Sequence, residues 1–192
     1  MLDDPYYNYA PTVVFSRPVA LVGFMGARVP LTGAILSAKT GLPYIDLARH
    51  VEHAAGRSQR RLVTERGLPE LHAHERRILR RVLAESPPPI VSLGFSTLSD
   101  PETAAMVRRQ ATLFYIERNL AEMHRNLVEE TTQSTGRYWT FSRTPPETPD
   151  ALSGLYAVHR ATYEQGSRRI VAAGRHPNRI ASEILSILED PS

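Results

Sequence analysis

Val19-Ala-Leu-Val-Gly-Phe-Met-Gly-Ala-Arg-Val-Pro-Leu-Thr-Gly-Ala-Ile-Leu36 is the stretch whose reading decides the fold. Its first half is an apolar run that ends in glycine, the pattern of a buried parallel strand leading into a phosphate-binding loop. A working loop reads G-x-x-x-x-G-K-[ST], in which glycines let backbone N–H groups face the phosphates. Lysine then neutralises the phosphates and the hydroxyl holds Mg²⁺. Counted from Gly23, and with Gly26 inside the turn, the second glycine position holds Arg28. The lysine position holds Val29 and the hydroxyl position holds Pro30. The frame is present and its chemistry is not.

The composition bounds the rest. The 192 residues suffice for one domain with a full core. With 42% hydrophobic and 22% charged residues the chain reads as a soluble globular protein. Cysteine is absent, which excludes disulfides, thiolate metal sites and a Cys nucleophile. No apolar run reaches membrane-spanning length and no signal pattern opens the chain, so the expected location is cytoplasmic, with no membrane partner. Lys39 is the only lysine; every other fixed cation is arginine. The arginines occur as scattered pairs among acidic residues with no aromatic ladder, which argues against a nucleic-acid surface.

From the first strand outward, the chain alternates. Residues 1–18, with Tyr6, Tyr7 and Tyr9 between prolines, read as an extension that packs across the domain or docks on a partner or second copy. The domain proper spans 19–192. Pro30 suits the first turn of a helix to Lys39. Tyr44–Asp46 is a short strand, and helices follow over 48–55, 58–65 and 69–85, closed by Pro87-Pro88-Pro89. Ile90–Leu93 is a strand ending at Gly94, Asp100-Pro101 caps a helix to Arg109, and Leu113–Ile116 is a strand. A helix over 119–130, a polar loop over 131–150, a helix over 149–166, a strand over 169–172 and a helix over 177–188 complete the chain. This alternation predicts an α/β fold with a parallel sheet sandwiched by helices. Ligands in that architecture bind at the C-terminal ends of the strands, where Gly23, Asp46 and Gly94 all fall.

The chain resembles the shikimate kinase family from about Arg17 to Glu189. The residues that carry the resemblance are Ala20-Leu-Val-Gly-Phe-Met-Gly-Ala27 and Gly41-Leu-Pro-Tyr-Ile-Asp46. Gly56-Arg-Ser58, Glu65-Arg-Gly67, Glu75, Leu155-Tyr156, Arg160 and Tyr163 follow in order. The resemblance implies a five-stranded parallel sheet of the nucleoside-monophosphate-kinase kind, a lid at about 128–150, and transfer of the ATP γ-phosphate to shikimate. It also assigns roles. Asp46 keeps the metal-side carboxylate of a paired-aspartate motif, while Ala48 stands where the second carboxylate would bind substrate hydroxyls. His72 falls on the substrate-binding arginine, and Gly94-Phe95-Ser96 replaces a triple-glycine turn beneath the substrate. Arg137 matches a phosphate-contacting arginine of the lid, and Arg160 matches the arginine that binds the substrate carboxylate.

Other chemistry is weaker. His50 and His53, or His72 and His74, have no diagnostic metal spacing, and no metal site is expected. Gly94-Phe95-Ser96-Thr97 lacks the second glycine of a nucleophile elbow. Trp139 and Phe141 either cover an apolar ligand or anchor the loop. Two readings result. In the first, the scaffold serves a non-kinase enzyme acting on a small carboxylated metabolite, with His72, Asp46 and Arg137 as catalytic groups. Arg160, Gly94, Phe95 and Ala48 would bind that substrate. In the alternative, the protein is a pseudokinase that binds a ligand or partner. A genuine kinase ranks third, and no cofactor is expected except ATP and Mg²⁺ under that third reading.

Overall fold

The computed structural model describes residues 15–133 and 146–190. Five strands, β1 (Val19–Val22), β2 (Tyr44–Asp46), β3 (Ile90–Ser92), β4 (Thr112–Glu117) and β5 (Arg168–Val171), form one sheet. Their order is β2-β3-β1-β4-β5 and every pairing is parallel. Among the described residues eight helices flank the sheet: α1 (Val29–Thr40), α2 (Leu47–Ala55), α3 (Gln59–Arg66), α4 (Leu68–Val82), α5 (Pro101–Gln110), α6 (Leu120–Gln133), α7 (Ser153–Glu164) and α8 (Pro177–Glu189).

Strand β1 shows why its sequence is apolar throughout. Val19 and Leu21 point to one face, into a core with Val29 and Leu36 of α1 and Ile180 and Ile184 of α8. Ala20 and Val22 point to the other, into a core with residues of α2 through α7, including Val51, Leu79, Met123 and Tyr163. A strand covered on both faces has no side left for polar alternation. The result is three layers, with α1 and α8 beneath the sheet and the other helices above.

Several boundaries differ from the sequence reading. Phe15 is buried in the α1/α8 core, and the Pro18 carbonyl accepts the Thr112 N–H at 2.8 Å, so residues 15–18 of the expected extension pack against the domain. Helix α4 ends at Val82 rather than at residue 85. Helix α6 runs to Gln133, since Thr131-Thr132-Gln133 holds no glycine or proline to stop it. The first three positions of the expected 131–150 loop, and part of the expected lid, are therefore helical. Residues 149–152 form a 3₁₀ turn, and α7 starts only at Ser153. The tyrosines of the N-terminal arm, and Arg137, Trp139 and Phe141 of the expected lid, lie outside the described residues. Among the described residues no helix is long and apolar enough to cross a membrane.

Candidate functional site

The phosphate-loop segment between β1 and α1 is a closed turn. The Ala27 N–H donates to the Phe24 carbonyl at 2.9 Å, with Gly26 at φ 77° in the third position. Only glycine holds that conformation cheaply. Arg28 then caps α1 at φ 58°, the left-handed region, where a side chain costs about 1–2 kcal/mol. No side chain caps this helix start, and Thr32, the nearest hydroxyl, donates back to the Arg28 carbonyl at 3.1 Å.

Two distant elements hold this turn. Asn126 of α6 donates to the Gly26 carbonyl at 2.8 Å. Arg118 lies almost fully buried at the end of β4, and its guanidinium reaches the carbonyls of Ala27, Ala172 and Arg175 at 3.3, 2.9 and 2.9 Å. On the other side, Tyr44 donates to the Pro30 carbonyl at 2.9 Å and shares a hydrogen bond with Ser92 at 2.8 Å, tying α1 to β2 and β3. Tyr44→Phe is expected to cost about 1–2 kcal/mol, read as a lowered urea midpoint with unchanged slope.

A crevice of about 290 Å³ opens above the C-terminal ends of β1, β2 and β3. Its floor includes Gly23, Gly94 and Phe95; Phe24, Met25, Val29, Pro30, Leu31 and Leu93 make most of the rest apolar. Phe24 and Phe95 meet edge to face with centroids 5.9 Å apart. The β2 side contributes Asp46, Ala48 and Gln59; the α6 side contributes Glu129 and Glu130 facing Arg28. The Arg28 guanidinium forms an ion pair with Glu129, and its Nε is buried without a hydrogen-bond partner. Burial pushes the Glu130 carboxyl up to about 6, against the pull of Arg28 and with a further push from Glu129.

Nine of the residues singled out in the sequence thus line one crevice: Gly23, Gly26, Arg28, Val29, Pro30, Asp46, Ala48, Gly94 and Phe95. Asp46 also caps α2, accepting the Arg49 N–H at 3.2 Å. His72 and Arg160 are not among the lining residues. His72, half-buried on α4, shares a hydrogen bond with Ser96 at 3.3 Å; burial lowers its pKa, partly opposed by the nearby Asp100 carboxylate. Arg160 is held by Glu117 at 3.3 Å and Glu164 at 2.8 Å, away from the crevice wall. His50 bonds its own helix start and His74 faces Glu70. Among the described residues no three His, Asp or Glu side chains group to hold a metal ion.

The sequence reading missed Gln59, Glu129 and Glu130. Gln59 follows a helix cap and carries no signal of its own, yet it is 8% exposed with its carboxamide Nε2 unpartnered. Glu129 meets Arg28 across 101 positions, a contact that no spacing reveals. It also missed His159, while Glu75 is one of the residues that carry the resemblance. Glu75, fully buried under the Gly94 turn, accepts from Thr97 at 2.8 Å, and burial pushes its carboxyl up to about 8. His159 shares a hydrogen bond with Ser99 at 2.9 Å and meets Phe95 edge to face. The Phe95 carbonyl in turn accepts the Tyr163 hydroxyl at 2.5 Å, which fixes the turn that carries the ring.

The groups needed for ATP phosphates and Mg²⁺ do not fit this arrangement. The lysine is Val29, the hydroxyl is Pro30, and the one cation of the loop is neutralised by a carboxylate with a second carboxylate beside it.

The family sequence model described as "Shikimate kinase" matches residues 25–189. A shikimate kinase of Caulobacter vibrioides is 28% identical over 151 residues, covering 79% of this chain and 75% of that protein. One of Geobacter metallireducens is 26% identical over 180 residues, covering 94% of this chain and 95% of the relative. In fold, the chain is similar to a solved shikimate kinase from Acinetobacter baumannii in complex with shikimate. The TM-score is 0.78 at 14% identity, over 92% of this chain and 94% of that one.

Proposed function

The chain belongs to the shikimate kinase family, and from that premise we propose that its crevice binds a small molecule without transferring phosphate from ATP. The observation that carries this reading is the Arg28–Glu129 pair with Glu130 alongside, seated where the family's loop would cradle phosphate. Phosphoryl transfer consists almost entirely of positioning and of neutralising charge on the phosphates. Here the cation of the loop is already engaged by a carboxylate. At an effective dielectric of about 20, each carboxylate within 5 Å of a phosphate oxygen opposes it by about 3 kcal/mol.

The crevice suits ligand binding on other grounds. It is concave and mostly apolar with a few polar groups on its walls, the usual make-up of a small-molecule site. The non-kinase enzyme reading draws on Arg137, which lies outside the described residues, and on His72, Asp46 and Arg160, of which Asp46 alone lines the crevice. A binding role needs no acid/base pair, and so it is the reading the geometry favours.

The named activity of the relatives sets the test. Calorimetry with ATP·Mg²⁺ and with shikimate, beside an ADP-release assay, is expected to show no saturable nucleotide binding up to about 1 mM and no phosphate transfer. Saturable binding of both with transfer would overturn the reading.

A further inference from the structure

We propose that the turn from Gly94 to Asp100, which sets Phe95 into the crevice floor, is a latch that opens when His72 and His159 take up protons. The inference concerns the floor itself and stands whether or not the crevice admits nucleotide.

Side chains of two helices pin this turn. From α4, His72 shares a hydrogen bond with Ser96 at 3.3 Å, Glu75 accepts from Thr97 at 2.8 Å, and Arg76 donates to Asp100 at 2.8 Å. From α7, His159 shares a hydrogen bond with Ser99 at 2.9 Å, and Tyr163 donates to the Phe95 carbonyl at 2.5 Å. His159 is 6% exposed and sits among the rings of Phe24, Phe95 and Tyr163, none of which carries a negative charge.

A serine hydroxyl donates to a neutral imidazole or accepts from a charged one, so these hydrogen bonds alone are indifferent to the proton. Burial is not. It lowers the pKa of both imidazoles, and the nearness of His72 lowers that of His159 further. For His72 the Asp100 carboxylate partly offsets burial, while Arg76, which engages Asp100, acts against a second positive charge. Once the turn swings out, both rings meet water and return to the ordinary value of 6.5. The open form then binds protons more tightly than the closed one, and acid favours it.

The other groups around the turn act differently. Glu75 works in the opposite sense: burial pushes its carboxyl up to about 8, so rising pH favours any opening that exposes it. Burial keeps the Tyr163 phenol protonated. Arg76 is shared by Asp100 and Glu102, and Arg160 of α7 by Glu117 and Glu164; ordinary carboxylates and guanidiniums do not titrate between about pH 5.5 and 7.5.

Amide hydrogen exchange of the full chain tests this, in a Glu75→Gln background that removes the opposing group and still accepts from Thr97. Rates at residues 95–99, corrected for the intrinsic pH dependence, give the opening constant, and amides of β1 and α1 serve as the reference. Two groups that charge only in the open form allow a rise of at most about a hundredfold between about pH 7.5 and pH 5.5. A rise of about tenfold is expected at the turn, with a smaller one in the reference amides. Adding His72→Gln and His159→Gln, which keep a hydrogen-bonding side chain without a titrating one, should make the opening constant equal at both pH values. An opening constant that ignores pH, a rise that survives both substitutions, or an equal rise in the reference amides would overturn the proposal. Should that variant fail to fold, the imidazole Cε1–H resonances of the unaltered protein decide. Those of His72 and His159 are expected to titrate with midpoints below 6.5, and a midpoint at or above 6.5 for either would overturn the latch.

Discussion

Gly26→Ala is expected to destabilise the chain by about 3–5 kcal/mol, a large part of the margin of an ordinary domain. Two separate effects add. The φ of 77° places any L-residue in the left-handed region, at about 1–2 kcal/mol. The new Cβ would also fall on the backbone of Met123, in the first turn of α6, where no side chain can swing aside. Relief requires α6 to move, and α6 carries Asn126, which holds the same turn, as well as Glu129 and Glu130. Gly56→Ala separates the two terms. Gly56 has φ 63° but nothing lies within 4 Å of the added Cβ, so its cost is the conformational term alone, about 1 kcal/mol. Urea unfolding of both variants reads the difference. Equal costs would show that α6 yields to the methyl group without penalty.

That pairing also shows what in this fold is legible from sequence. The apolar run at Val19–Val22, the glycine turn after it and the Pro-initiated helices mark strands and helices directly, because buried strands and helix starts have local chemical requirements. The rule that sites lie at strand C-termini then gathers Gly23, Asp46 and Gly94 without any coordinates. What stays hidden is the pairing of distant elements. Arg28 reads as a free cation in the loop until Glu129 is found beside it, and Arg118 looks like one arginine among many until its guanidinium is found buried on three carbonyls. The positions of His72 and Arg160 followed from resemblance, but their partners Ser96 and Glu117 depend on which elements pack against α4 and α7, whereas Glu164 lies one turn further along the helix of Arg160. Gln59 is the extreme case. Nothing about a glutamine after a serine cap indicates that it will be buried, and only the packed structure reveals its missing partner.

Glu75→Gln is expected to raise stability at pH 8 and leave it unchanged at pH 4.5, reversing the usual cost of altering a buried charged residue. The wild-type carboxyl lies fully buried, one oxygen accepting from Thr97 and the other unpartnered, with Asp100 adding a like charge nearby. Burial comes first among the causes that push it from 4.5 to about 8, so the folded chain holds a proton that the unfolded chain gives up. The sign follows. Below pH 4.5 both states are protonated and the full stability is present. As pH rises from 4.5 towards 8 the unfolded state deprotonates and the folded state does not, so stability falls by about 1.4 kcal/mol per pH unit at most. Across the window this amounts to about 4 kcal/mol. Glutamine is close in shape to the protonated acid and still accepts from Thr97, but it has no proton to lose. Other groups, such as Asp100, whose ion pair weakens in acid, titrate in both proteins and cancel in the difference. Urea midpoints for the two proteins should therefore coincide near pH 4.5 and separate steadily towards pH 8, with the variant the more stable. Parallel profiles would mean that the wild-type carboxylate ionises in place, with water or a cation reaching it beneath Gly94. The turn that carries Phe95 would then rest on a charge, and the crevice floor would change its electrostatics across the physiological range.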